Sequence, residues 1–320
     1  MSRYLQSLLI RSQRLFWTLI KVMLPVMIAV RIADQFGMVA IAADILTPVM
    51  AVIGLPPEAG LIWATCLLIN IYAAIAVIIS LAAQLDMTAA QISALCAMML
   101  FAHGIPVEQA IVKRAGASFW ATAGLRIGAA LLYGAFITWI SRQTGWLSEP
   151  ADLAWMASGA GASGPEGWID WSLSTALSLV VSFGVIAGLL VLLDILEKTG
   201  ITDRITLALL PVLRISGLSR DVAPVTTIGV LLGLTYGGAL IIDEARKKQF
   251  PPRTLFLSLA WLSLSHSLIE DTAIMLAVGA DIWVVLVGRV ILTLIIIALL
   301  ARLTIRWQVQ PVALTPQTDP

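Results

Sequence analysis

Apolar residues fall in runs near 15–30, 61–83, 119–140, 173–193, 224–242 and 282–303, separated by short polar or Gly/Pro-containing breaks. Several reach the roughly 20 residues that a helix needs to cross a hydrocarbon layer. The runs lack the roughly ten-residue apolar/polar alternation of outer-membrane barrels, and a membrane span must satisfy its own backbone hydrogen bonds, so the pattern predicts helices. The expected fold class is an all-α integral membrane protein.

The polar positions carry a second regularity. A shift of 163 residues carries His103 onto His266, the only two histidines, without a gap. It also superposes Gly37 on Gly200, Leu46 on Leu209, Pro48 on Pro211, Gly54 on Gly217, Gly116 on Gly279, Trp120 on Trp283 and Arg126 on Arg289. Acidic positions match as Asp34 with Glu197, Glu58 with Asp221 and Glu108 with Asp271. Residue types this scarce do not coincide by chance in so apolar a chain, and the sequence reads as two copies of one unit, 15–142 and 177–306. Around them lie a polar N-terminus at 1–14, a linker at 143–176 and a tail at 307–320 that lacks apolar periodicity.

Each copy predicts a full helix (16–36 and 179–199), a shorter apolar piece (40–53 and 203–216), a break and a longer helix. The break is Gly54-Leu55-Pro56-Pro57-Glu58 in one copy and Gly217-Leu218-Ser219-Arg220-Asp221 in the other. The short pieces are below spanning length and contain proline, which predicts a re-entrant hairpin rather than two crossings. The third element carries the histidine, the fourth the Trp and Arg.

Lys and Arg favour the cytoplasmic side of short loops. With Arg3, Arg11 and Arg14 inside, three full crossings and one hairpin per copy bring Lys113, Arg114, Lys198, Arg246, Lys247, Lys248, Arg253, Arg302 and Arg306 inside and the acidic linker outside. The expectation is a multipass protein of the bacterial inner membrane with both termini cytoplasmic. An odd number of crossings makes the copies inverted repeats, as in many secondary transporters. Five crossings per copy keep that parity but turn Arg214 and Arg220 outward, which favours the hairpin.

Composition supports the class and removes others. The chain is 59% hydrophobic and 12% charged, with a mean hydropathy of +0.95. A net charge of +1 makes no case for nucleic-acid binding. No Walker loop, dinucleotide fingerprint, G-x-S-x-G elbow or H-E-x-x-H is present, so neither an enzyme nor a cofactor is expected. Cys66 and Cys96 lie in apolar segments and read as small packing residues. No removable signal peptide is expected, because no A-x-A-like site follows the first apolar run.

The candidate chemistry centres on His103-Gly104-Ile105-Pro106-Val107-Glu108 and His266-Ser267-Leu268-Ile269-Glu270-Asp271. Gly104 and Pro106 predict a broken helix in the first copy. Half-helix ends inside a membrane hold charged groups and ions, and an imidazole beside a carboxylate can exchange protons near neutral pH. His103, Glu108, His266, Glu270 and Asp271 are therefore expected to bind a proton, ion or solute. Glu58 and Asp221, which open the helices after the hairpin breaks, and Asn70 on the following helix, two residues before Tyr72, are expected to belong to the same binding site. Capping and interhelical hydrogen bonding are the competing explanations for these. Arg126 and Arg289 are expected to pair with carboxylates as packing elements. A divalent metal suits imidazole and carboxylate, but the spacing matches no metal signature and no metal is expected.

Gly54-Leu55-Pro56-Pro57-Glu58-Ala59 after an apolar half-helix, then Asp86-Met87-Thr88-Ala89-Ala90-Gln91-Ile92 leading into the helix with His103 and Glu108, resembles the nucleoside-recognition Gate-domain family. The resemblance covers nearly the whole chain in duplicated form. Gate segments occur in concentrative nucleoside transporters, ferrous-iron permease membrane domains and spore-maturation-type proteins. The resemblance implies inverted hairpin-containing units that move as an elevator, with Glu58 and Asp221 at hairpin tips. The expected function is secondary transport of a small polar solute or ion, coupled to protons or sodium, by a homo-oligomer in the lipid bilayer. A non-transporting membrane scaffold or receptor, whose polar pairs only lock the bundle, is the alternative.

Overall fold

In the computed structural model, residues 35–153 (except 83) and 251–304 are described, with isolated positions between 10 and 33 and between 168 and 204. The described residues are helical and contain no strand. They form two compact units. The first comprises 35–106, 126–153 and 269–289, the second 107–125, 251–268 and 290–304. The short piece expected at 203–216, its break with Asp221, Asp34, Glu197, the middle of the linker and the C-terminal tail lie outside the described residues.

In the first unit, α1 (Met38–Ile53) and α2 (Pro57–Leu68) meet at an angle of 96°. Gly54 takes the left-handed conformation there, φ +85°, and the Gly54 and Leu55 N–H groups return to the Met50 carbonyl. Pro57 opens α2, where a missing N–H does no harm. The break thus falls where Gly-x-Pro-Pro predicts it. The two arms pack closely, since a Cβ on Gly60 would sit 2.6 Å from the Leu46 Cβ.

The long helix expected after this break is two helices. α2 stops at Leu68, and α3 (Ile71–Leu81) starts after Asn70, whose side-chain oxygen accepts the Ala73 N–H at 2.9 Å. The apolar run 61–83 concealed that stop, because an Asn cap inside continuous Leu/Ile/Ala leaves the hydrophobic pattern unbroken.

α4 (Ala89–Phe101) is the core of the first unit, with Ile92 and Ala94–Phe101 fully buried. Its start is prepared in sequence: Thr88 and Gln91 form a reciprocal capping box. The next free donors, Ala89 and Ala90 N–H, bond to the carbonyls of Glu149 and Leu147 at 2.8 and 2.9 Å. Gln91 also donates Nε2 to the Gly54 carbonyl at 2.9 Å, and Thr138 donates to the Ile53 carbonyl, so the α1–α2 break is held by its neighbours.

The chain continues through α5 (Ile105–Arg114) and α6 (Phe119–Thr144). Beyond the undescribed stretch come α7 (Pro252–Ser265), α8 (Glu270–Ala277), a π-helical segment (Trp283–Gly288) and α9 (Arg289–Leu303). Among the described residues, three stretches are long and apolar enough to cross a membrane: Ala89–Arg114, Phe119–Thr144 and Trp283–Leu303. Ile291, Ile295, Leu299 and Leu303 form an exposed stripe at a four-residue spacing along α9. Such a stripe suits lipid rather than water.

In the first unit the π-helical segment leaves the Val284 carbonyl to the Tyr133 hydroxyl, which donates to it at 2.9 Å. A Cβ on Gly288 would lie 1.8 Å from that hydroxyl. Gly288→Ala should therefore lower stability by about 1–3 kcal/mol through overpacking. The loss should be smaller in a Tyr133→Phe background, measured as a double-mutant cycle of thermal unfolding in detergent.

Candidate functional site

The first unit contains the break that carries His103. α4 ends at Phe101, and the chain turns through Ala102, His103 and Gly104 (φ +52°) before α5 begins, as Gly104 and Pro106 predict. His103 is buried, and its Nδ1 lies 2.8 Å from the Met99 carbonyl. A carbonyl only accepts, so Nδ1 carries a proton and faces Met99. The Gly104 N–H donates to the Cys66 carbonyl at 2.9 Å, bringing the end of α2 to the break. Glu58 is half-buried in the first turn of α2, about 12 Å along that helix from Cys66.

A helix that stops inside a membrane exposes carbonyls that lipid cannot satisfy. Two fully buried arginines meet that need in the first unit. Arg126 donates Nε to the Phe101 carbonyl at 2.8 Å and Nη2 to the His103 carbonyl at 3.1 Å. Arg289 donates Nη2 to the Leu100 carbonyl at 3.1 Å, with its guanidinium 6.0 Å from the Phe101 ring centroid. Their positive charge also suits the negative end of the helix dipole. The expected carboxylate pairing did not anticipate this role. The signal was present in the 163-residue match of two arginines within lipid-compatible helices.

The same unit holds the acidic start of α8. Glu270 and Asp271 occupy its first turn, Asp271 buried and Glu270 exposed. Tyr72 lies close enough to Glu270 and Asp271 for both carboxylates to act on its phenol. Asn70, two residues before Tyr72, is committed to capping α3.

In the second unit, α7 ends at Ser265, His266 has extended backbone and Ser267 takes φ +49°. His266 is buried. Its Nδ1 lies 3.0 Å from the Leu262 carbonyl and its Nε2 3.2 Å from Glu108 Oε1. Glu108 stands in the first turn of α5, and its side chain is 17% exposed. The helix break was predicted in the first copy from Gly104 and Pro106; the second copy breaks too, without either residue.

Local geometry repeats at the 163-residue shift. Gly104 and Ser267 have φ of +52° and +49°, Gly116 and Gly279 +99° and +103°, Gly37 and Gly200 +69° and +70°. Ser118 and Asp281 both turn a side-chain oxygen onto the N–H groups that open the following helix. Each histidine bonds the carbonyl four residues before it, and Trp120 and Trp283 are both exposed.

Over 298 residues, covering 91% of this chain and 92% of the relative, the sequence is 24% identical to the uncharacterized membrane protein YvoD of Bacillus subtilis (strain 168). No protein-family model matches the chain, and no solved structure matches it. With its apolar helices and candidate spans, the chain is consistent with a membrane protein.

Arg126→Met removes the donors of two buried carbonyls. It should lower stability by about 2–4 kcal/mol, and Arg126→Lys should recover only part of that, because one ammonium replaces a planar fork. Thermal unfolding of the purified protein in detergent measures both.

Proposed function

We propose that the protein is a secondary transporter that moves a small polar solute or ion across the bacterial inner membrane, coupled to a proton or sodium gradient. The observation that carries this reading is the burial of two histidines at matched helix breaks, one of them beside a carboxylate. Ionisable side chains inside membrane spans are costly and are retained chiefly for function. His103 lies near the middle of the Ala89–Arg114 span, the depth at which transporters with broken helices hold their cargo.

In this reading the two sequence copies are inverted Gate-like repeats that exchange access by an elevator movement, with both termini cytoplasmic. His103, Glu108, His266, Glu270 and Asp271 handle the proton or a charged group of the solute. Glu58 and Asp221 shape the turns that open their helices, and Asn70 shapes the α2–α3 turn. A homo-oligomer supplies the scaffold for the movement, and the protein performs no covalent chemistry. The resemblance to Gate proteins supports the architecture, and the repeated local geometry supports the duplication.

A non-transporting scaffold is the second reading, favoured by the way Arg126 and Arg289 lock the backbone at the end of α4. Flux separates the two. Proteoliposomes loaded with a pH-sensitive dye and offered a panel of labelled small polar solutes should accumulate one of them with the wild-type protein. The His103→Ala/His266→Ala variant should retain less than about a tenth of that rate, since general proton handling by a positioned side chain is worth roughly 100-fold or more. Equal flux in the variant removes the histidines from the mechanism.

A further inference from the structure

The second unit contains a contact whose geometry calls for a proton between two heavy atoms. His266 Nδ1 faces the Leu262 carbonyl at 3.0 Å, which requires an N–H at that nitrogen. His266 Nε2 faces Glu108 Oε1 at 3.2 Å, with the two side chains 3% and 17% exposed. If the imidazole were neutral and the carboxylate ionised, two lone pairs would confront each other at that distance with little water to separate them. One proton on the Nε2···Oε1 line removes the conflict. It can sit on nitrogen, giving imidazolium and carboxylate, or on oxygen, giving imidazole and carboxylic acid.

We infer that His266 and Glu108 bind a single shared proton, and that this is the coupling ion of the transport cycle. The inference rests on the transporter reading and chooses between the two coupling ions it leaves open. A hard alkali cation takes oxygen ligands, whereas an imidazole nitrogen suits a proton or a transition metal. Release of the proton to the aqueous phase leaves neutral imidazole and a carboxylate, with a net charge of minus one on the pair. The contact between the first turn of α5 and the end of α7 then turns repulsive. Proton binding closes that contact and proton loss opens it, which is the differential interaction that a two-state cycle needs.

Ionisable residues flank the pair in sequence. Along the chain they are His103, five residues before Glu108, and Glu270 and Asp271, four and five residues after His266. Lys113 and Arg114 close α5, and Arg253, which donates to the Ala301 carbonyl at 2.7 Å, opens α7. Within the second unit the positive charges of Lys113 and Arg114, five and six residues after Glu108, favour the deprotonated, anionic pair.

Having only two histidines makes the proton directly observable. The full-length protein is labelled with nitrogen-15 histidine and carbon-13 glutamate in lipid nanodiscs, with His103→Gln assigning the histidine signals. Titration over about pH 4 to 10 should move the His266 Nε2 and Glu108 carboxyl signals together, at one midpoint, with loss of one proton. In Glu108→Gln the His266 Nε2 should show no proton shared with residue 108. In His266→Gln the Glu108 signal should move at a different midpoint. Separate midpoints in the wild type, or no transition in either signal, would overturn the shared proton. So would a stoichiometric divalent metal lost in Glu108→Gln.

Proteoliposomes carrying an entrapped pH dye test the coupling. Solute-driven proton movement in the wild type, reduced at least tenfold in Glu108→Gln, supports it. Solute flux with unchanged proton movement in Glu108→Gln overturns the coupling role alone. An intact shared midpoint with no flux of any solute overturns the transporter reading, while the proton site stands.

Discussion

Carbonyl groups at the end of α4 are the constraint on which the first unit turns. A helix in water can end anywhere, because solvent takes up its last acceptors; a helix inside a bilayer has no such supply. The chain meets the shortage with two guanidinium groups, Arg126 on Phe101 and His103 and Arg289 on Leu100. Each is fully buried, and each places positive charge at the negative end of the helix. Because the break is held this way, the turn at Ala102–Gly104 keeps the His103 ring against the Met99 carbonyl.

The chain repeats the histidine arrangement with different materials. Gly104 and Ser267 adopt nearly the same positive φ, although a serine is strained there and a glycine is not. The ring nitrogen nearer the backbone is fixed identically at both sites, which sets the same tautomer twice. The copies diverge in the helix that follows. α6 is regular α-helix, whereas its counterpart begins with a π-helical segment whose Val284 carbonyl takes its donor from Tyr133.

Much of the local architecture was legible in the sequence because it depends on local rules. Gly54-Leu55-Pro56-Pro57 announced the α1–α2 break, Thr88 and Gln91 the start of α4, and Gly104 with Pro106 the interruption beside His103. The Asn70 stop was hidden because hydrophobicity does not change across it. The second break was hidden because Ser267 and Ile269 carry no turn signature. The capping role of Arg126 and Arg289 was hidden because the sequence shows a buried cation but not which backbone carbonyls it reaches.

The sequence by itself determined that the chain is helical and apolar enough for a membrane, that its histidines occupy matched positions, and where proline and glycine interrupt its helices. Those properties follow from run length, spacing and backbone sterics, which act within a few turns of chain. Only the tertiary structure decided partners: Glu108 for His266, Tyr133 for Val284, and carbonyls for the two arginines. A side chain's partner is selected by which helices pack together. That selection depends on the shapes of whole faces, and no spacing along one segment encodes it.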